Sequence, residues 1–481
     1  MIMKNRILLA GTAMLLLSGC INLQPDYKRP QLAAPTSWPS GPAYRPAAYD
    51  PKKPSVADLG WDQFFSDDKL RKLIDIGIAN NRDLRVAMLD VVKARAQYRV
   101  QRAEQLPTVN LEGQGDIQRT PRRLSQTGKA DTSHQYTAEV GLSSYELDLF
   151  GRVQSLKDQA LEEFFATEEA QRSAQITLVA EIASAYVTLA ADMERLKLAQ
   201  DTLMSQQQSY DLTKRSFEIG NSSELDVRQA QTSVDTARVD IATFTADIAQ
   251  DQNALALLLG TSVPSELLPE QTLGSVTALQ DIPAGIPSDV LQRRPDILEA
   301  EHTLKGANAN IGAARAAFFP KITLTATSGR ASDALSTLFK AGTGAWAFSP
   351  DIILPIFDWG ENQANLDAAK ADRDIDIAQY DKAIQTAFEE VANALADYGT
   401  IDDKMAAQQS LVEATSESYR LSDARYRKGV ENYLDVLDSQ RSMYSAQQDL
   451  ITVRLDKQTN LVTLYKVLGG GWTKSAAKPA S

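Results

Sequence analysis

Apolar and polar residues alternate with period two in four short stretches. Val109, Leu111, Gly113, Gly115 and Ile117 interleave with Asn110, Glu112, Gln114, Asp116 and Gln118. A strand presents successive side chains to opposite faces, so this stretch predicts a strand with one apolar or small face and one polar face. The pattern returns over about 134–149, with Tyr136, Ala138, Val140 and Leu142 on one face. It recurs at Ile322, Leu324 and Ala326, and again at Trp346, Phe348 and Ile352. Such strands fit a soluble sandwich with a core face and a water face. They fit equally a membrane barrel with a lipid face and a wet lumen.

Elsewhere the period is helical. No proline interrupts the chain from Arg152 to about Phe217, a run of about 66 residues, or ~99 Å of helix at 1.5 Å per residue. Within it Val179, Ile182, Tyr186, Leu189, Met193 and Leu196 step by three and four alternately, the heptad spacing of a coiled coil. The positions 209 residues later are Phe388, Val391, Leu395 and Tyr398, then Asp402 and Met405. A plain bundle with a wide core stripe is one reading; the length favours an elongated tube. Two shorter helical stretches, Leu225–Leu259 and Ser288–Ala317, flank a Pro- and Gly-containing belt over Gly260–Pro287 and together match the long one. About Lys69–Ala103 and Leu434–Val467 pair in the same way.

The chain repeats itself. Asn81-Arg82-Asp83-Leu84 answers Arg294-Pro295-Asp296-Ile297, and Pro107 answers Pro320, both at an offset of 213. From Gly151 onward the offset is 209: Gly151 and Gly360, Gly220 and Gly429, Leu225-Asp226-Val227 and Leu434-Asp435-Val436, Gly260 and Gly469. Chance similarity between helical stretches would not hold one register over such a span. The chain therefore reads as a signal segment (1–19), a Pro-rich leader (20–60), a first repeat (61–280), a second repeat (281–470) and a tail (471–481). The first repeat carries strands at about 106–118 and 134–149 and a long helix at about 152–217. The second carries strands at about 320–330 and 345–357 and a long helix at about 361–426. Membrane barrels start at eight strands, and lipid tolerates no open sheet edge. If these four strands are transmembrane, identical copies must share one barrel.

Composition narrows the classes. With 50 Lys+Arg against 62 Asp+Glu the net charge is −12, which opposes a nucleic-acid surface. One cysteine excludes an internal disulfide, and two histidines exclude a His-rich metal site. That cysteine, Cys20, follows Leu17-Ser18-Gly19 at the end of a short apolar run that Lys4 and Arg6 precede. The arrangement resembles the bacterial lipobox, in which the signal is cut before the Cys and its thiol is acylated. Ile21, not Asp, follows it, which points to the outer membrane. After the signal no apolar run approaches the ~18 residues of a membrane helix; the longest is about Ala254–Leu259.

Four stretches are the most specific: Tyr145-Glu146-Leu147-Asp148-Leu149-Phe150-Gly151-Arg152, Pro355-Ile356-Phe357-Asp358-Trp359-Gly360, Arg293-Arg294-Pro295-Asp296 and Tyr433-Leu434-Asp435-Val436-Leu437-Asp438-Ser439-Gln440-Arg441. With the lipobox and the duplication, they resemble the outer membrane factor family of tripartite efflux pumps, in its lipidated OprM/NodT branch. The resemblance covers essentially the whole mature chain. It implies a mainly α, TolC-like fold and a homotrimer. The long coiled-coil helices would form an α-barrel, and four strands per chain a 12-stranded β-barrel in outer-membrane lipid. It also implies a periplasmic adaptor (membrane fusion protein), an inner-membrane pump of the resistance-nodulation-division class, and no cofactor beyond the covalent lipid on Cys20.

The resemblance places a periplasmic gate at the turn after each long helix, where Gly220 and Gly429 stand as left-handed helix ends. Asp435 and Asp438, three apart on one helix face, would ring the entrance with Leu434 and Tyr426. Arg441 would pair with Asp438. The plainer reading is that these acids complement a helix dipole in water. The first repeat keeps Asp226 but has Gln229 in place of Asp438, and Glu431 stands where the TolC branch has a basic lock residue. A duct for type I protein secretion or heavy-metal export is a neighbouring reading, and a structural lipoprotein that spans nothing is another. No nucleophile motif lies near either His and no phosphate-binding glycine loop is present, so an enzyme is not expected. The cargo is not written in the sequence.

Overall fold

The computed structural model describes residues 21–31, 33–35, 37–44, 59–270, 273–274, 276–277 and 288–470. The expected signal segment, Cys20 and the expected C-terminal tail lie outside the described residues. The chain divides into two compact units. One is drawn from residues 1–31, 90–167 and 299–380, the other from 32–89, 168–298 and 381–481.

In chain order the main elements are α1 (Asp68–Asn80), α2 (Arg82–Ala103), β1 (Val109–Thr120), β2 (Asp131–Glu146), α3 (Arg152–Glu218) and α4 (Glu224–Leu259). They are followed by α5 (Pro295–Ala316), β3 (Lys321–Ser332), β4 (Gly344–Ile353), α6 (Glu361–Arg427) and α7 (Tyr433–Val467). The two long helices, α3 and α6, have 67 residues each.

The first unit holds the sheet, ordered β1-β2-β3-β4 and antiparallel throughout. Register puts Leu111 opposite Val140, Val140 opposite Ser328, and Ser328 opposite Trp346. One face thus carries Val109, Leu111, Ile117, Leu142, Trp346, Phe348 and Ile352, and the other Glu112, Gln114, Glu139, Thr327 and Asp351. β1 through Arg119 and all of β4 are exposed on both faces. A sandwich would cover one of them, so the structure removes that alternative. The register slips between Leu142 and Tyr145, where Ser144 takes φ +53°, and β2 ends at Glu146.

The repeated Asp of the strand–helix junctions starts each long helix. Asp148 accepts from the Gln154 N–H (2.7 Å), and Asp358 from the N–H groups of Gly360 and Asn362 (both 3.0 Å). These acids answer donors that a helix start leaves unpaired. Arg152 holds Glu146 with two 2.7 Å hydrogen bonds. The leader is fastened in the same unit. Arg315 donates to the Leu23 carbonyl, Asn308 to the Pro25 carbonyl, and Arg29 pairs with the buried Glu301 at 2.5 Å.

The second unit is helical. Val179, Ile182, Tyr186 and Leu189 are buried, as are Val391, Leu395 and Tyr398. The buried set is wider than a heptad seam, because Ile176, Leu178, Ala180, Ala183, Val187, Ala190 and Ala191 are buried too. The sequence reading missed what this implies. α3 contains a window long and apolar enough by composition to cross a membrane, and 67% of that window is buried inside the protein.

Two helix boundaries also differ from expectation. The stretch expected as one helix over about Lys69–Ala103 breaks at Asn81. There the side chain accepts from the Leu84 N–H (2.8 Å) and donates to the Leu258 carbonyl (2.9 Å). The helix expected from Ser288 begins at Pro295, preceded by a 3₁₀ turn over Ser288–Arg293. Proline disfavours the α conformation in the residue before it and suits the first helical position. That residue, Arg294, is buried and donates to the Val467 carbonyl, Asp296 and Glu390 (each 2.7 Å).

Candidate functional site

The two turns that follow the long helices lie in the second unit. Each helix ends in a glycine with positive φ, +82° at Gly220 and +73° at Gly429. The pattern at both is the Schellman motif. Asn221 N donates to Ser216 O (2.7 Å) and Gly220 N to Phe217 O (2.9 Å). Val430 N donates to Arg425 O (3.0 Å) and Gly429 N to Tyr426 O (2.8 Å). Neither glycine has an atom near its missing Cβ, so backbone conformation, not space, selects it.

The turns diverge at the next helix start. Ser223 caps α4 by accepting from Asp226 N (3.1 Å), while the Asp226 carboxylate accepts from Ser223 N and the Ser222 hydroxyl (both 2.9 Å). Burial pushes that carboxyl up, but the hydrogen bonds from Ser223 and Ser222 outweigh it and hold the group below its ordinary value. In the second turn Asn432 caps α7, accepting from Asp435 N at 3.0 Å. The Asp435 carboxylate has no hydrogen bond or ion pair among the described residues. The same aspartate is thus consumed in a cap in one repeat and left exposed in the other.

Asp435, Asp438, Leu434 and Arg441 are all exposed on α7. The opposite face buries Tyr433, Val436, Leu437 and Gln440. Tyr433, Val436 and Leu437 pack with Ala230 of α4, and Tyr210, Tyr419 and Tyr426 close the cluster. Tyr426 therefore belongs to the packed core of the turn, its ring 5.4 Å from that of Tyr433, whereas the acids stand on the open face. Burial pushes the Tyr433 hydroxyl up to about 12. Thr213, whose own hydroxyl donates to the Ser209 carbonyl (2.9 Å), lies beside that hydroxyl and opposes the shift only in part.

Arg441 Nη1 lies 4.0 Å from Asp438 Oδ1, an exposed pair worth no more than ~1 kcal/mol. Its other nitrogen, Nη2, donates to Thr232 of α4 at 3.3 Å. Beyond it Tyr444 donates to Asp240 at 2.9 Å, a second tie between α7 and α4. Sequence reasoning missed Thr232, Asp240 and Tyr444. One signal was available: Thr232 and Arg441 are 209 apart, the repeat offset itself, so one repeat's position faces its counterpart. Glu431 is paired with Arg425 at 3.1 Å. Cys20 lies outside the described residues, and its neighbour Ile21 donates to the Leu149 carbonyl (3.1 Å) at the strand–helix junction.

The outer membrane efflux protein family model matches residues 73–261 and 286–470. The chain belongs to the outer membrane efflux protein family. It is 50% identical over 469 residues to the toluene efflux pump outer membrane protein TtgC of Pseudomonas putida, covering 98% of this chain and 96% of that one. The antibiotic efflux pump outer membrane protein ArpC of Pseudomonas putida matches at the same identity and coverage. Among solved structures, the open state of the Neisseria gonorrhoeae MtrE outer membrane channel superposes with a TM-score of 0.84 at 39% identity, covering 93% of this chain and 98% of that one. The fold is TolC-like, the location is the outer membrane, and the function is efflux. The relatives are channel proteins, not enzymes.

Proposed function

We propose that this efflux protein is the passive exit duct of a tripartite pump. Three copies share one 12-stranded barrel in the outer membrane, and the paired helices continue it as a periplasmic tunnel. A periplasmic adaptor and an inner-membrane transporter of the resistance-nodulation-division class deliver the cargo. The observation that carries this reading is the four-stranded sheet. Its apolar face is exposed, and in the single chain β1 and β4 each have one unpaired edge. Lipid accepts the face but not the edges, so neighbouring copies must close them.

The duct does not choose its cargo. Relatives equally similar to this chain are named for toluene and for antibiotic efflux, and a wide tube offers few selective contacts. Acylated Cys20 anchors the chain to the membrane through its lipid. At the helix turns Asp435 and Asp438 of three copies ring the entrance. Leu434 and Arg441 flank them, and Tyr426 stiffens the turn from behind.

Single-channel recording in planar bilayers tests the reading. The purified protein should conduct, and Asp435→Ala with Asp438→Ala should raise leak conductance severalfold. Unchanged leak in the double variant removes the gate; a protein that never conducts removes the duct.

A further inference from the structure

Charge is distributed unevenly along the sheet. The β1–β2 and β3–β4 connections emerge at the same end of the antiparallel sheet. Residues 119–131 and 330–343 there carry Arg119, Arg122, Arg123, Lys129, Arg330 and Lys340 against only Asp131 and Asp333. The chain as a whole is strongly acidic. All six cations are exposed, and none is ion-paired with a carboxylate among the described residues. Arg122 donates to the Gly128 carbonyl (2.9 Å), and Arg330 to the Lys340 carbonyl (2.8 Å) and the Thr343 hydroxyl (3.2 Å). These bonds orient the guanidiniums without neutralising them. At the opposite end Lys321 and Arg152 are both paired with Glu146.

Register sharpens the placement. Arg119 follows Val109, Leu111 and Ile117 on the apolar face of β1. Arg330 follows Ile322, Leu324 and Ala326 on the same face of β3, two positions from Ser328, which faces Trp346. Arg330 stands level with Ala138 and Gly113, and Arg119 six residues further toward the loop end of β1, so the two arginines take different depths on one face, with exposed Leu124, Leu335 and Phe339 in the adjoining loops. An arginine there lays its stem along acyl chains and lifts its fork to headgroup level, where a planar fork matches a phosphate.

We propose that this end of the sheet binds the phosphate groups of an acylated glycolipid, the lipid A of the outer leaflet. Arg330, just beyond the Ser328–Trp346 pair, makes the direct contact, and Arg119 with the loop cations forms the positive rim beyond it. The proposal rests on the membrane-barrel reading above, with the loop end facing outward, and adds a ligand to it.

The test uses the full-length protein in nanodiscs, with diphosphoryl lipid A and its dephosphorylated form as probes and native mass spectrometry as the readout. The protein should prefer the diphosphoryl form by at least about tenfold, given the attraction of each cation to an anionic surface. Arg119→Gln with Arg330→Gln should abolish most of that preference, the Arg-to-Lys pair should lose part of it because an ammonium cannot reproduce the fork, and Arg238→Gln on α4 should retain it. Equal binding of the two lipids, or an unaltered preference in the double Gln variant, overturns the proposal. Planar-bilayer conductance of the same samples separates the two readings. A conducting protein with no preference sinks the lipid site alone, and a protein that never inserts sinks both.

Discussion

At the scale of single residues, repeat-related positions show what each group contributes. Gly220 and Gly429 hold positive φ with open space around them, so Gly→Ala at either should cost about 1 kcal/mol. Urea melts in detergent would measure it; an unchanged midpoint would show that the turn relaxes. Asp251 is a sharper case. Burial, the hydrogen bond it shares with Asp192, and the charges of Asp192 and Asp247 raise its carboxyl from 3.8 to about 7, against a smaller opposing pull from Arg195. The folded chain then keeps a proton that the unfolded chain has already released, so stability falls as pH rises from about 4 to 7. The second repeat has Asn460 at the matching position, donating to the Ala394 carbonyl at 3.0 Å. Asp251→Asn should therefore raise the melting temperature at pH 8 and change it little at pH 4. An increment that is the same at both would show that Asp251 is ionised in the fold.

At the scale of elements, the two helix turns share a C-terminal stop and differ in their N-caps. Ser223→Ala removes the side-chain half of a reciprocal capping box and leaves the Asp226 carboxylate its bonds from the Ser223 N–H and the Ser222 hydroxyl, and Asn432→Ala likewise removes one acceptor. Both should cost on the order of 1 kcal/mol. Ser222→Ala removes a donor to the Asp226 carboxylate and should raise its pKa, which NMR titration of the side chain would follow; an unmoved titration would assign the shift elsewhere. The elements themselves were largely legible. Alternation at 109–118 marked a strand, and the proline-free run marked α3, because local periodicity encodes which side is buried. Three features were hidden because they depend on tertiary partners. Asn81 looks like any helical polar residue until the Leu258 carbonyl is beside it. The apolar run in α3 was spread among small residues and read as a narrow seam, although about two-thirds of its most apolar window is buried in the protein. Tyr444 and Asp240 carry no motif. The acids at 435 and 438 were legible as exposed, but only the caps reveal that Asp226 is spent where Asp435 is free.

At the scale of the whole molecule, one strand count decides what the rest means. The chain supplies four strands with an exposed apolar face and two open edges, and its family is that of outer membrane efflux proteins. The sequence shows the alternation but not the absence of a covering layer over β1 and β4, and only that exposure on both faces separates sandwich from barrel. For the proposed duct, closure by identical copies is what the requirement that every backbone donor and acceptor in lipid be paired demands. Native mass spectrometry of the detergent-extracted protein tests that closure most directly. Three copies per particle are predicted; a monodisperse single copy, stable in detergent with its sheet intact, would contradict it.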